Sequence, residues 1–275
     1  MSNATTVHPN PAGWFFSLRS KVIVATLAIV LTMLCTRLIL IYHTAHQQHA
    51  DDGAREVQRL NASLQTLMER SQQHLEDFAT QIDWFTYRKD PMSLSQLYFS
   101  GIENLEVSDS QGGVLLQWSA DNEPSPYINE LANGDLRNAV SVDGRPFHYF
   151  YCADQCRQGL ITPALDQSGK EIFVHIEQSG AALMTDFAKV SNADIAFLHP
   201  LNGAVVASTR PRQTQFAEQQ ILNLRQQGQH WYMGEVADRY LAMRLFESDW
   251  GELRQQPYVI LTDMSLARER LMHNM

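Results

Sequence analysis

The feature that most constrains this chain is one long apolar segment near its N-terminus, VIVATLAIVLTMLCTRLILIY, which runs from Val22 to Tyr42. As an α-helix it is long enough to cross a hydrocarbon core of about 30 Å. Its threonine hydroxyls can bond to carbonyl groups of the helix itself, so Arg37 is the one costly residue. Because Arg37 lies near the C-terminal end, its guanidinium can reach the lipid headgroups. The sequence therefore predicts a transmembrane helix at 22–42, in contact with the lipid bilayer.

The residues on either side of this helix predict that it is retained and how it is oriented. The segment His43–His49 offers no small-residue cleavage pattern, which favours a membrane anchor over a signal peptide. Arg19 and Lys21 precede the helix, whereas no acidic residue occurs before Asp51. By the positive-inside rule, residues 1–21 are expected in the cytoplasm and the rest of the chain on the far side of the membrane.

Composition limits the partners of the chain and the size of what it can fold. The formal net charge is −9, which is unfavourable for binding nucleic acid. With 44% hydrophobic residues, the chain beyond the anchor can build one elongated domain or two small ones.

Two cysteines form an isolated C-x3-C pair, Cys152 and Cys156, on the side of the membrane expected to be oxidising, while Cys35 lies in the predicted membrane helix. This pattern favours a short-range disulfide. Closing so small a loop contributes about 2 kcal/mol in the chain-entropy model, so the bridge would fix a turn more than hold the fold together. Zinc is less favoured, because no second Cys or His pair lies beside it at ligand spacing.

A long amphipathic helix is predicted to continue from the membrane helix, over residues 43–90. Its apolar positions recur every three or four residues, and Pro91 disfavours helix at Asp90. This apolar stripe is narrow near the membrane and widens towards Trp84 and Phe85. We therefore expect one end to pair with the same helix of a second copy, making a homodimer, while the other end packs on a domain; packing only on its own chain is the alternative. The stripe consists of Val57, Leu60, Leu64, Leu67, Leu75, Phe78, Ile82 and Phe85.

Beyond Pro91 the hydrophobic period changes from helical to extended, and residues 91–180 are predicted to form one five-stranded module. Leu105 and Val107 alternate with polar residues, and two glycines supply a turn before the strand 114–118, which is typical of a β-hairpin. The three further strands are predicted at 147–151, 159–165 and 171–177.

A second module of the same kind is predicted over residues 181–264, after a linking helix at 181–190. Positions of the first hairpin recur 90 residues later: Leu105 with Ile195, Val107 with Phe197, Gly113 with Gly203, and Val114 with Ala204. Three strands follow again, at 230–236, 239–246 and 258–262. The sequence thus predicts an α+β fold, in which a transmembrane helix and a long amphipathic helix precede two tandem PAS-like antiparallel five-stranded modules.

This arrangement resembles the double Cache sensor domain, found outside the membrane in bacterial signalling proteins. The most specific segment, residues 152–198, is similar to the dCache_3 group: a close cysteine pair, a proline-containing strand around Pro163, a strand, a helix, and then Ala193-Asp194-Ile195. The resemblance implies that 91–180 is a membrane-distal module and 181–264 a membrane-proximal one. It also implies anchoring in the bacterial inner membrane, with the main domain in the periplasm.

Proteins of this family commonly carry a second membrane helix and a cytoplasmic output, often a diguanylate cyclase or a cyclic-di-GMP phosphodiesterase. The resemblance therefore implies a sensory input module that controls such an enzyme; input to a histidine kinase or a chemoreceptor is an alternative. Residues 265–275 are expected to start a helix that leads to a second transmembrane segment absent from this sequence. An alternative of another class is a membrane-anchored periplasmic interaction protein without output.

No motif predicts catalysis by this chain. The sequence contains no Gly-rich phosphate loop, no GGDEF or EAL signature, no H-E-x-x-H and no G-x-S-x-G. His43, His46 and His49 are expected to be solvated beside the membrane, with weak metal binding as the alternative. We therefore predict no catalytic residue, no metal site and no cofactor.

A small-molecule site is expected on the sheet of the first module, where aromatic and polar side chains converge. The candidate residues are Trp118 at the end of the hairpin and Arg145, Tyr149 and Tyr151 in or before the third strand. Alternation lets only one set of side chains of that strand line a pocket, and ordinary core packing is the alternative. Amino-acid-binding relatives carry an arginine closely followed by Trp-Tyr, and this motif is missing here, so no ligand identity is carried over.

Overall fold

The computed structural model describes residues 18–81, 97, 101–120, 140, 144–152, 155–247 and 256–273. The chain divides into two units, Met1–Asp51 and Asp52–Met275. The helix α1 (Leu18–Gln81) contributes to both. Apolar side chains from Val22 to Tyr42 are exposed in the first unit. Among the described residues, α1 is the one helix long and apolar enough to cross a membrane.

The second unit contains two five-stranded antiparallel sheets. In chain order its elements are β1 (Ile102–Asp109), β2 (Val114–Ser119), β3 (Phe147–Cys152), β4 (Cys156–Leu165), β5 (Glu171–Ser179), α2 (Ala181–Val190), β6 (Asp194–Leu198), β7 (Val205–Ser208), α3 (Pro211–Gln226), β8 (Trp231–Val236), β9 (Arg239–Phe246), β10 (Tyr258–Asp263) and α4 (Ser265–His273). The first sheet has the order β2-β1-β5-β4-β3, and the second has the order β7-β6-β10-β9-β8.

The two sheets confirm the predicted tandem repeat, because their strands occur in the same spatial order. Each opens with a hairpin whose register shifts at the equivalent place, after Val107 in the first sheet and after Phe197 in the second. Each hairpin turns through a glycine with positive φ, Gly112 at 94° and Gly203 at 73°, a conformation that a side chain disfavours. All the predicted strands are present, with ends that differ by a few residues.

The helix α3 is not among the predicted elements. It buries three apolar side chains, Ala217, Ile221 and Leu224, against one face of the second sheet. Their spacing of four and three residues, together with Pro211 in the first turn, is the helical signal in this segment. Most other residues of α3 are polar and Phe216 is exposed, so the periodic signal is short.

The apolar stripe of α1 packs on its own chain. Val57, Leu60 and Leu64 enter a core shared with the second sheet, and Leu75 enters the core of the first sheet. Burying a side chain of this size stabilises the fold by about 1.5–3 kcal/mol. These described positions of the stripe therefore pack within the chain, and pairing with a second copy stays a prediction. Residues 82–90, with the last two stripe positions, lie outside the described residues.

The predicted disulfide is present between Cys152 and Cys156 and closes the β3–β4 end of the first sheet. Both cysteines are buried in the core that also contains Phe197 of the second sheet. The side-chain amide of Gln256 completes the junction. Its Oε1 accepts from Cys152 N at 2.7 Å, and its Nε2 donates to Cys152 O at 2.7 Å. The bridge thus fixes a turn at the boundary between the two sheets.

One buried hydrogen bond fixes the position of α1 on the second sheet. The hydroxyl of Tyr258 donates to Asn61 Oδ1 at 2.6 Å, and both residues are buried. A polar pair inside an apolar seam specifies register, because any sliding of the helix leaves both groups without partners in the core.

We expect Tyr258→Phe to lower the free energy of unfolding by about 1–3 kcal/mol, because the buried Oδ1 of Asn61 loses the hydroxyl that donates a hydrogen bond to it. Tyr232→Phe is the matched control, since the Tyr232 hydroxyl makes only a long 3.4 Å bond to a backbone carbonyl. Urea unfolding of both variants in detergent measures the difference. Equal losses in the two variants would contradict the role of the Asn61 bond.

Candidate ligand site on the first sheet

The two faces of the first sheet differ in polarity although both are buried. Leu105, Leu160 and Ile176, which are neighbours across three strands, belong to the apolar core that also contains Leu75 of α1. Alternate residues of the same strands point to the opposite face. That face carries six buried polar side chains: Asn104, Glu106, Ser108, Arg157, His175 and Glu177.

Glu177 is the centre of this polar cluster, and its side chain is fully buried. Its Oε1 accepts from Asn104 Nδ2 at 2.8 Å and from Arg157 Nη1 at 2.9 Å, while its Oε2 accepts from the Tyr149 hydroxyl at 2.6 Å. A buried carboxyl group needs such donors, because it has lost its water. Burial alone would lower the pKa of Arg157, but the hydrogen bond and the charge of Glu177 raise it overall.

A glycine allows Tyr149 to reach this cluster. Tyr149 in β3 is paired with Gly159 in β4, and Gly159 is paired in turn with Glu177 in β5. A Cβ atom at position 159 would overlap the Tyr149 ring. Because Gly159 has no side chain, the ring lies across β4 and its hydroxyl reaches β5.

His175 extends the network and ends in an open acceptor. Its Nε2 lies 2.6 Å from the Tyr149 hydroxyl. Because that hydroxyl gives its single proton to Glu177, we assign Nε2 as the protonated nitrogen and Nδ1 as the acceptor. Burial lowers the pKa of His175 to about 4, although the charge of Glu177 opposes this. Within the described part of the chain, neither His175 Nδ1 nor the buried Ser108 Oγ has a hydrogen-bond partner.

Aromatic side chains border the polar cluster on the same face. The rings of Phe147, Tyr149 and Tyr151 follow one another along β3, with centroids 6.3 Å and then 6.0 Å apart. They share an apolar cluster with Ile161 and Phe173. A face with an aromatic side and a few convergent polar groups has the chemistry of a small-molecule site.

The structure brings together two of the four residues predicted to bind a ligand. Tyr149 and Tyr151 lie on the polar face. Trp118 is paired with Leu105, so it lies on the other face and packs in the core with Leu75. Arg145 is exposed and precedes β3. Trp118 and Arg145 therefore do not belong to the cluster around Glu177.

The sequence predictions missed the buried polar residues of β1, β4 and β5. Polar residues that alternate with Leu105 and Val107 are the ordinary pattern of a strand with one solvated face. Here that face is buried, and burial of the second face depends on the rest of the fold. The glycine opposite a strand tyrosine is the one local signal, because it leaves room for the ring.

A second buried carboxyl group, that of Asp194, serves the fold. It accepts hydrogen bonds from the hydroxyls of Ser208, Thr209 and Thr214 and from the backbone N–H of Arg210. Burial raises the pKa of Asp194, and these bonds oppose the shift. The group fixes the connection between β7 and α3, and no group of three or more potential metal ligands occurs in the described residues.

Comparison with known proteins identifies the fold. No protein-family model matches the sequence, and no curated protein matches it. The periplasmic domain of RsbU from Chlamydia trachomatis is similar in structure, with a TM-score of 0.54 and 12% sequence identity over 85% of this chain and 98% of that one. The ligand-binding domain of the chemoreceptor CtaA from Pseudomonas fluorescens, in complex with L-isoleucine, gives a TM-score of 0.48 and 9% identity over 85% of this chain and 98% of that one. At 12% identity the similarity to the RsbU domain concerns the fold alone, which is Cache-like, as the sequence predicted.

The buried imidazole predicts a pH dependence of stability. Because the pKa of His175 is lowered to about 4 in the folded chain, the unfolded state binds an extra proton as the pH falls from about 6.5 to 4. Its contribution, at most about 3 kcal/mol, is present above pH 6.5 and is lost as the pH falls towards 4. Thermal unfolding between pH 7.5 and 4 measures this loss. In His175→Gln the decrease should be smaller, and an unchanged pH profile would contradict the assignment.

Proposed function

We propose that this chain is the sensory input region of a bacterial membrane receptor and that it binds a small molecule on the polar face of its first sheet. The observation that carries the proposal is the buried cluster around Glu177, bordered by the β3 aromatic rings. Polar groups are costly to bury, and the open acceptors on this face are the kind of group that a ligand satisfies. The Cache-like fold supports the same function.

The strands that carry the cluster also carry the polar contacts to α1. Gln158 follows Arg157, Gln178 follows Glu177, and the side chains of both glutamines point to α1. The Ser71 hydroxyl donates to Gln158 Oε1 at 2.6 Å, and Gln178 Nε2 donates to Ser71 Oγ at 2.9 Å. A displacement of β4 or β5 by a ligand would therefore reach α1 directly.

A third contact of this kind links the β3 strand to α1. His148, which precedes Tyr149, places its Nε2 2.6 Å from Glu76 Oε1. Suppose that a ligand binds a residue of the strand more tightly in one conformation of the sheet. It then shifts the population towards that conformation and so changes the contact that the neighbouring residue makes with α1. In the proposed mechanism the helix carries this shift towards the membrane.

We further propose that residues 1–21 are cytoplasmic, that the second unit is periplasmic, and that the receptor controls a diguanylate cyclase or a cyclic-di-GMP phosphodiesterase. Arg19 and Lys21 before the apolar helix support this orientation. The gene sequence beyond codon 275 tests the output. A second hydrophobic segment followed by such an enzyme supports it. A histidine kinase or chemoreceptor signalling domain at this place would overturn the proposed cyclic-di-GMP output. A stop codon would favour an anchored interaction protein.

The proposed homodimer would use a face of α1 other than the apolar stripe, because the stripe is occupied by its own chain. The exposed positions of the second-unit part of α1 include Asp52, Arg55, Arg59, Glu69 and Arg70. A mass measurement by light scattering of the full chain in mild detergent is expected to give a dimer. A monomer at all accessible concentrations would overturn this part of the proposal.

Ligand binding itself is tested by thermal unfolding of the full chain with amino acids, organic acids and polyamines. At least one compound is expected to raise the midpoint, and Tyr149→Phe is expected to reduce the increase, because the network loses the hydroxyl between Glu177 and His175. Trp118→Phe and Arg145→Gln are the matched controls and should keep the full increase. If no compound acts, or if Tyr149→Phe behaves like the controls, the site is wrong.

A further inference from the structure

We propose that the polar face around Glu177 recognises a cationic amine: a ligand that presents N–H donors and a positive charge, and that requires no carboxylate. This inference rests on the proposed function and names the chemical class of the ligand. It follows from the hydrogen-bonding capacity, the formal charge and the aromatic border of the face.

The open hydrogen-bonding positions of the face among the described residues are one acceptor, His175 Nδ1, and one hydroxyl, that of Ser108, which can accept or donate. His175 Nδ1 carries a lone pair, because the proton of the ring is on Nε2, which faces the Tyr149 hydroxyl. His175 is 1% exposed and Ser108 is 3% exposed, and within the described residues neither Nδ1 nor Ser108 Oγ has a partner. A lone-pair acceptor buried this deeply requires a donor, and an ammonium group supplies three.

The formal charge of the face also favours a cation. Among the described residues the face has two carboxyl groups, those of Glu106 and Glu177, and one guanidinium, that of Arg157. Glu106 is the cross-strand neighbour of His175. Arg157 is held by Glu177 at 2.9 Å. A ligand carboxylate would meet these carboxyl groups and a cation already bonded to Glu177.

The aromatic residues on the same face fit a cation as well. Phe147, Tyr149 and Tyr151 line up along β3, and the Tyr149 hydroxyl reaches the carboxyl group of Glu177. Aromatic rings attract a cation through their negative faces, and the attraction is stronger where water is excluded. Carboxyl groups, aromatic rings and a neutral imidazole together form a surface that a charged amine satisfies and an organic acid does not.

Calorimetric titration of the full chain in detergent at pH 7.5 tests the class of ligand. The amine probes are 1,4-diaminobutane, spermidine and 2-phenylethylamine. The comparators are 1,4-butanediol, succinate and L-isoleucine, which supply a neutral, an anionic and a zwitterionic partner. We expect at least one amine to bind, and neither the diol nor succinate to bind.

Two substitutions of His175 locate the contact. In His175→Gln the amide nitrogen can replace Nε2 as donor to Tyr149 while the Nδ1 acceptor is lost, whereas in His175→Asn the amide oxygen can replace Nδ1. We expect the affinity for the amine to fall about tenfold or more in the first variant and less in the second. Ser108→Ala removes a hydroxyl that has no partner in the described structure, so no hydrogen bond of the fold is lost. This variant should weaken amine binding without lowering the unfolding midpoint.

The outcomes separate this inference from the proposed function. If succinate or the diol binds while no amine does, or if L-isoleucine alone binds, the ligand class is overturned and ligand sensing stands. If an amine binds with equal affinity to the wild type, His175→Gln and Ser108→Ala, the assigned contact is overturned. If no compound of any class binds, both the inference and the proposed ligand site are overturned. Arg145→Gln is the control that should leave amine affinity unchanged.

Discussion

The polar face of the first sheet depends on one constraint: the strands are buried on both sides, so a polar group on them destabilises the fold unless it has a hydrogen-bond partner. Glu177 meets this constraint with three donors from three other strands, Asn104 in β1, Tyr149 in β3 and Arg157 in β4. Removing one partner of such a buried network leaves an uncompensated charge, whereas a well-packed apolar replacement of the whole network can be neutral or stabilising. The network therefore contributes specificity more than stability, and specificity is what the proposed recognition surface requires.

The alternation of side chains along a strand connects this polar face to α1. In β3, β4 and β5, a residue of the polar face is followed or preceded by a residue bonded to α1, and the two side chains share one stretch of backbone. The sheet thus separates the ligand from the helix by the thickness of one strand. No long chain of intermediates is needed, because a shift of one strand changes both surfaces at once.

The sequence predicted much of the fold because its signals are local. The hairpin glycines, the alternating strands and the 90-residue repeat each depend on a few neighbouring residues, and the structure shows the corresponding strands. The polar cluster was less accessible to prediction. An aromatic residue in a strand, such as Tyr149, is conspicuous in the sequence, but His175 and Glu177 look like solvent-facing positions until the second face of the sheet is known to be buried. Trp118 was predicted to bind a ligand because of its residue type. The face of the sheet on which its side chain lies depends on the register between β1 and β2, which the sequence does not show.

The polar contacts of α1 also limit how the helix can move. Asn61 is bonded to Tyr258 in the second sheet, and Ser71 and Glu76 are bonded to the first, so a rigid slide of the helix would break all three contacts together. Moving an equilibrium from 1:99 to 99:1 requires a ligand to prefer one state by about 5.5 kcal/mol. A hydrogen bond to a charged group contributes about 1.5–3 kcal/mol, so about two to four contacts made in only one state are enough. The contacts to the first sheet come from the strands that carry the proposed ligand site, whereas the Asn61 bond lies in the second sheet. In the proposed mechanism a ligand alters the first set and leaves the second intact, so the helix tilts or bends about its contact with the second sheet and does not slide along it.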